Sequence, residues 1–368
     1  MRFFMDIRAV IEKLIHMKTP GTALRLLLLP LTLCSFVYGT AMRIRAWLYR
    51  ACLFESFALP CRVISVGNIT VGGTGKTPTV CLLARSLYAR GFKIAVVTRG
   101  YRGTNIKTPL IVSDGMQVRA SCAEAGDEAV MLAAQLTGIP VIACRDRVAA
   151  GKLACDMFGA DTVLLDDGFQ HLRLRRDLDI VLVNVLDPFG NGRLLPRGVL
   201  REPLAALERA SIILLTKADA TGGAVGLAAR IQELNPAARL YSASYHIAGF
   251  CNFQSGHTVE AVELSGKNVG ALCSIGDPAS FISMLSRAGM QVSDPLVYPD
   301  HHAYVSDDYT ALRDVAARVY AVVTTEKDIA KLDAGMLQID NLIIMEIEQV
   351  IESFELCIDE VIMHAGLR

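Results

Sequence analysis

The chain has 368 residues, 37 Lys and Arg against 37 Asp and Glu, and 52% hydrophobic residues. This excludes an intrinsically disordered chain, which would be poor in apolar residues and rich in charge. It also excludes a strongly basic nucleic-acid binder, so no nucleic-acid partner is expected, and the length suggests about two domains.

The neutral total conceals a split. Residues 1–59 carry eight Lys or Arg against three acids, a net of +5, which leaves −5 for the rest. Arg25 precedes a charge-free run of seventeen residues from Leu26 to Met42, and Arg43 and Arg45 follow it. That is at the short limit for a spanning helix, and Pro30 and Gly39 weaken it further. A signal peptide fits poorly, because the run starts late and no small-x-small cleavage site follows. A soluble helix buried against the body is one alternative. A helix lying in one leaflet fits better, with flanking Arg, Trp47 and Tyr49 at headgroup level. The ten cysteines are scattered without a Cys-x-x-Cys pair. They read as free thiols in a reducing compartment, with no structural metal.

From Pro60 the pattern alternates. Arg62–Val66 is a β-branched run ending in glycines, and Thr79–Arg90 has the i, i+3, i+4 apolar spacing of a helix stopped by Gly91. Ile94–Thr98, Pro140–Ala143, Thr162–Leu165, Asp179–Val185 and Ser211–Thr216 are further apolar runs that read as buried strands. Tyr241–Gly256 is mixed and bears Gly and Ser. Alternation resumes with a strand at Asn268–Ile275, a helix at Phe281–Ala288 and a strand at Val319–Thr324. The expected organisation is a basic, apolar helical segment over 1–59, a P-loop domain over 60–240 and a smaller α/β domain over 241–368. The fold class is α/β, with a mostly parallel sheet of P-loop NTPase type.

The strongest motif is the phosphate loop Gly72-Gly73-Thr74-Gly75-Lys76-Thr77, which follows a strand and opens a helix. Glycines let backbone N–H groups turn toward phosphate oxygens, Lys76 can reach the β- and γ-phosphates, and Thr77 can offer its hydroxyl to Mg²⁺. Thr70 stands where the usual pattern has its first glycine. The strand ending in Asp166-Asp167-Gly168-Phe169-Gln170-His171 has a Walker-B arrangement, which places a carboxylate beside the P-loop metal. Only one aspartate need touch the metal shell, since neighbours on a strand point oppositely. Thr216-Lys217-Ala218-Asp219 is a weak match to the guanine reader of GTPases and reads better as a strand-end loop.

A kinase needs a base for the acceptor proton and cations for the transition-state charge. Candidate bases lie in Gly126-Asp127-Glu128 and in Tyr298-Pro299-Asp300-His301-His302-Ala303-Tyr304; Arg147 and Arg201 are candidate cations. Spacing alone is not specific: the first motif also reads as a helix N-terminus capped by Asp127, and the second as a turn.

Taken together, residues 65–78, Thr98-Arg99-Gly100-Tyr101, Gly126-Asp127-Glu128, residues 166–171, Leu200-Arg201-Glu202-Pro203 and Pro299-Asp300-His301-His302 resemble the tetraacyldisaccharide 4′-kinase family of Gram-negative lipid A synthesis. Order and spacing match from about Arg45 to Asp328, and that family also lacks the first Walker glycine. The resemblance implies transfer of the ATP γ-phosphoryl, with Mg²⁺, to the 4′-hydroxyl of a tetraacylated glucosamine disaccharide 1-phosphate, giving lipid IV-A. It implies two Rossmann-like domains joined by a hinge, and an N-terminal helix on the cytoplasmic leaflet of the inner membrane; a monomer is the expected state, although no residue pattern fixes it.

By the same resemblance, Asp127 would be the acceptor base and His301 its tuning partner. The glycine loop, Lys76 and Thr77 would hold ATP and Mg²⁺, and Asp167 would complete the metal shell. Asp166, Gln170 and His171 would position nucleotide and metal. Arg201 and Glu202 would lie near the reacting phosphate and Mg²⁺, Arg147 would stabilise charge, and Tyr101 would sit near the glycan. Asp127 and His301 fall in different expected domains, so hinge closure would assemble the pair on bound substrate. Two other readings stay open from the residues: a P-loop GTPase or metallochaperone NTPase, and a membrane-attached nucleotide-binding regulator without transfer chemistry.

Overall fold

The computed structural model describes residues 21–104, 106–218, 224–300, 302–333, 337 and 339–367. His301, Asp219 and the first twenty residues of the expected 1–59 segment lie outside the described residues. Along the chain, α1 (Thr22–Leu27) and α2 (Leu29–Arg50) precede β1 (Arg62–Asn68), α3 (Lys76–Ala89), β2 (Ile94–Thr98) and β3 (Leu110–Ser113). Next come α4 (Cys122–Ala125), α5 (Asp127–Gln135), β4 (Val141–Ala143), α6 (Arg147–Phe158), β5 (Thr162–Asp166) and β6 (Leu178–Asn184). A 3₁₀ turn (Leu204–Arg209) leads to β7 (Ile212–Thr216), α7 (Ala224–Leu234), β8 (Arg239–Asn252), β9 (Thr258–Val259), α8 (Ala261–Leu264) and β10 (Asn268–Cys273). The chain then forms α9 (Pro278–Arg287), β11 (Gln291–Val292), β12 (Leu296–Val297), α10 (Ser306–Ala316), β13 (Ala321–Thr325), α11 (Glu326–Ile329), β14 (Leu342–Ile351) and α12 (Phe354–Ala365).

Two compact units result, and their segments interleave. The first takes residues up to 99, 146–244 and 351–368; the second takes 100–145 and 245–350. The division expected at 240 lies close to one crossing. The insertion of 100–145 into the second unit and the return of 351–368 to the first differ from the expected organisation. Contiguous composition carries no mark of a chain that leaves a unit and comes back.

In the first unit the strands run parallel in the order β8-β7-β6-β1-β5-β2. They are apolar throughout because both faces are covered, so they lack the alternation of a half-exposed strand. Phe169, Val181, Val183, Ile213, Leu215 and Ile231 form a core on one face. In the second unit β11-β10-β13-β14 are parallel, β12 also pairs with β10, and β3 pairs antiparallel with β4. Phe250, Val269, Phe281, Val323 and Met345 build one core there, and Tyr309, Leu312, Val322 and Leu342 another.

Two local readings change. The mixed stretch from Tyr241 is mostly the fourteen-residue strand β8. Its start is set by register, Ile212 opposite Arg239 through Thr216 opposite Ala243, and pairing to β7 outweighs its poor propensity. Pro30 does not interrupt the N-terminal helix; it occupies the first turn of α2, where a missing N–H costs nothing. Gly39 lets α2 approach the body, since a Cβ there would lie 2.6 Å from Leu194 Cδ1. The face around Ser35 and Gly39 is buried, while Leu26, Leu29, Leu33, Phe36, Val37, Ile44 and Trp47 are exposed. A helix buried on its apolar side is therefore not what forms. Among the described residues, no helix is long and apolar enough to cross a membrane.

Candidate active site

The site in the first unit starts where β1 ends. Gly75 caps α3 with φ 87° and Gly72 has φ 107°, values that side chains adopt only under strain. Gly72 and Gly73 are exposed, and open space surrounds the positions of their absent Cβ atoms. Beneath this loop Thr74 is buried and accepts a hydrogen bond from Asn68 Nδ2 at 2.8 Å. The N–H groups of the first turn of α3, with Lys76 and Thr77, follow directly: a ready anion seat.

β5 lies beside β1 with its last residue, Asp166, opposite Val66, so β1 runs two residues further to Asn68. The Asp-Asp-Gly turn comes against the loop because Gly67 has no side chain; a Cβ there would lie 2.6 Å from Phe169 Cβ. Asp167 adopts a left-handed backbone (φ 54°), unusual for a residue with a side chain. Its carboxylate accepts from Arg201 Nη1 at 2.8 and 2.9 Å and lies 3.6 Å from Lys76 Nζ. Burial pushes this carboxyl up, but Lys76 and Arg201 outweigh it and hold Asp167 below the usual carboxylate range. Asp166 is buried and accepts from Thr98 Oγ1 at 3.2 Å. Arg147, also buried, points Nη2 at the Asp166 carbonyl (3.5 Å) from the first position of α6.

The segment 199–201 runs along the loop entrance. Val71 N donates to Val199 O and Arg201 N to Ile69 O, both at 2.8 Å. This pairing brings Arg201 and Glu202 beside the phosphate loop. Glu202 is 4% exposed; its Oε2 binds Arg209 at 2.7 Å, while Oε1 is buried and accepts no hydrogen bond. Arg209 in turn lies over the Phe169 ring at 4.3 Å. Gln170 Nε2 donates to Asn68 O at 2.7 Å, and its Oε1 accepts weakly from Arg201 at 3.4 Å. His171 is held neutral: burial, then Arg147, push its pKa down to about 4. Its Nε2 is buried without a hydrogen bond.

The second unit holds the other candidates. Gly126, with φ 90°, caps α5, and a side chain there would collide with the Tyr101 carbonyl. Asp127 is therefore the first helical residue and not the cap, and its Oδ1 accepts the Glu128 N–H at 3.0 Å. Tyr101 is 52% exposed. His302 pairs with Asp308 at 2.8 Å and stacks on Tyr298 at 4.6 Å. Asp127 and the 299–304 segment belong to the same unit. The sequence reading puts Asp127 in a different domain from the Pro-Asp-His-His motif; the insertion of 100–145 instead gives Asp127 and the described residues Asp300 and His302 one unit, while His301 itself lies outside the described residues.

Sequence reasoning gives Thr325-Glu326-Lys327-Asp328 no role beyond that of a loop near nucleotide; in the structure Glu326 opens α11. Lys327 lies 3.0 Å from Asp300 and 3.9 Å from Glu128, so one lysine ties the neighbours of both expected dyad members. Asp328 is fully buried and accepts from Ser274 N (3.0 Å), Ser274 Oγ (2.5 Å), Tyr304 OH (3.0 Å) and Thr325 Oγ1 (2.7 Å), with Lys331 Nζ at 2.9 Å. Burial alone would raise this carboxyl, yet Lys331 and the hydrogen bonds hold it low. A polar run directly after an apolar strand is the available signal. Arg209 carries none.

Residues 24–363 match the model of the family described as tetraacyldisaccharide-1-P 4′-kinase. The chain belongs to this family. It is 40% identical over 341 residues to the tetraacyldisaccharide 4′-kinase of Desulfatibacillum aliphaticivorans, covering 88% of this chain and 90% of that protein. It is 42% identical over 308 residues to the enzyme of that name from Syntrophus aciditrophicus, covering 81% and 82%. LpxK from Aquifex aeolicus, whose crystal structure was determined in complex with ATP, superposes with a TM-score of 0.72 at 30% identity over 93% of this chain and 99% of that one.

Proposed function

We infer that this chain is an ATP-dependent kinase that phosphorylates the 4′-hydroxyl of tetraacyldisaccharide 1-phosphate, giving lipid IV-A. The observation that carries the reading is Asp167 gripped by Lys76 and Arg201 at the mouth of a glycine loop, in a member of this family. Those cations and the exposed loop fit a nucleotide polyphosphate, whose oxygens can replace the carboxylate as their partner.

The residues also fit Mg²⁺. Glu202 presents a buried oxygen that accepts no hydrogen bond, beside a loop ending in the Thr77 hydroxyl. Thr77, Asp166 or Asp167, and Glu202 would hold the ion, which would neutralise charge on the β- and γ-oxygens. Among the described residues no three His, Cys, Asp or Glu groups could hold a metal ion by themselves. Magnesium suits this, since it takes few protein ligands and fills its shell with phosphate and water.

In the transfer, the 4′-oxygen bonds to the γ-phosphorus, the bond from that phosphorus to the bridging oxygen breaks, and ADP leaves. Asp127 takes the hydroxyl proton, with His301 as its proposed partner. A lone aspartate is too acidic for this at neutral pH, and sharing the proton with an imidazole corrects that. Arg201 and Arg147 offset charge on the transferring group, and His171, kept neutral, adds no competing cation. Tyr101 offers an exposed ring to the sugar.

We also propose that α2 rests in one leaflet of the cytoplasmic face of the inner membrane. Its exposed apolar residues recur at three- and four-residue spacing, and Arg25, Arg43 and Arg50 flank them. Incubating purified protein with γ-labelled ATP and the disaccharide-1-phosphate lipid tests the activity. Label is expected in the lipid; ATP hydrolysis without labelled lipid would refute it.

A further inference from the structure

The exposed side of α2 accounts for a lipid contact, but its inner side is built differently. An anchor needs only apolar area and basic flanks. The inner face of α2 instead makes four hydrogen bonds to the body at fixed positions, and all reach either the 194–201 segment or Gln170. Ser35 Oγ donates to Leu194 O at 2.6 Å and accepts from Arg197 N at 3.0 Å. Gly39 admits Leu194 against the helix. Tyr38 OH then donates to Arg201 O at 2.8 Å, Arg45 Nη2 to Gln170 O at 2.8 Å, and the Arg45 guanidinium lies 5.8 Å from the Tyr49 ring.

These last two carbonyls belong to the residues that frame Asp167. Arg201 is held on its other side by its N–H on Ile69 O, and its guanidinium reaches both Asp167 oxygens. Gln170 is held by its amide on Asn68 O. Removing either helix donor frees one end of a peptide whose side chain must keep its aim within a fraction of an ångström.

We propose that Tyr38 and Arg45 are positioning residues for phosphoryl transfer, so that α2 is the rear wall of the phosphate site as well as a lipid contact. The inference rests on the kinase reading above. Neither side chain touches substrate; each acts through the backbone of Arg201 or Gln170.

The test uses the full-length protein with Tyr38→Phe, Arg45→Met, Arg45→Lys and the Tyr38→Phe/Arg45→Met pair. Turnover is measured in detergent micelles, where no bilayer is present. Binding is measured separately on phosphatidylethanolamine–phosphatidylglycerol vesicles. The expected result is a drop in kcat of roughly tenfold for each single variant, with KM for ATP and vesicle binding within about twofold of wild type. Arg45→Lys should recover part of the loss, because an ammonium can still donate to the Gln170 carbonyl. A folded double variant with wild-type kcat in micelles overturns the proposal, as does a loss that tracks vesicle binding alone. If the double variant does not fold, Tyr38→Phe decides by itself, since it removes one hydroxyl. Lys76→Met serves as the control. If that variant still labels the lipid, the kinase site has been misplaced; if it is dead while Tyr38→Phe and Arg45→Met are normal, only the positioning role fails.

Discussion

Each unit centres on a carboxylate met by cations, and the two differ in what else can reach it. Asp167 of the first unit meets Lys76 and Arg201 beside an exposed glycine loop, with 23% of its own side chain accessible. Asp328 of the second unit is fully enclosed, with four hydrogen-bond donors and the Lys331 ammonium around it. The difference separates an exchangeable pair from a structural one. On the proposed function, incoming phosphates would take Lys76 and Arg201 away from Asp167 at modest cost, because partly exposed ion pairs contribute little to stability. Nothing can replace Asp328 without leaving a buried lysine uncompensated.

Substitutions separate the two roles. The largest effect is expected at neither of these carboxylates but at Asp127, the proposed base. Asp127→Asn should lower kcat by about 10²–10⁴-fold in the lipid-labelling assay, with little change in melting temperature. Asp328→Ala should destabilise the second unit by about 3–5 kcal/mol, read as a shifted denaturation midpoint, because Lys331 and several donors lose their partner. A midpoint within error of wild type would end the structural reading of this carboxylate. Arg201→Lys keeps the charge but loses the planar fork, so a fall in kcat of roughly 10–100-fold with unchanged stability is expected. Equal loss of stability would make the first pair structural too.

The smallest effect concerns pH. His171 has its folded pKa pushed down from 6.5 to about 4. Between those values the unfolded chain binds a proton that the folded chain does not, so this contribution to stability is complete above about pH 6.5 and falls as the pH drops toward 4. Asp167 and Asp328, both held low, add losses only at still more acidic pH, below the ordinary carboxylate value of about 4. Chemical denaturation of His171→Gln against wild type at pH 7 and pH 5 should show a smaller acid-induced loss in the variant.

Much of the first unit is legible in the amino-acid sequence. The β1, β2, β5, β6 and β7 runs are readable because strands covered on both faces must be continuously apolar. The glycine loop is readable because phosphate binding demands backbone N–H groups that only such a sequence can present. The second unit is less so. There Asp127 reads as a cap although Gly126 takes that place, and in the first unit the start of β8 escapes a reading by propensity because its pairing with β7 overrides that propensity. Lys327 and Asp328 make their contacts with Asp300, Glu128, Ser274 and Tyr304, all remote in sequence, and no local pattern encodes such partners.

Family and reaction class are readable from the amino-acid sequence, since they depend on short contiguous motifs whose chemistry is local. So is the apolar run of α2. Which face of that helix is exposed, and that the opposite face bonds to the backbone of Arg201 and Gln170, follows from packing against the body. That Asp127 and the 299–304 segment share one unit follows from the insertion of 100–145. These depend on where a returning chain is held by long-range pairing and packing, and that is a property of the whole fold.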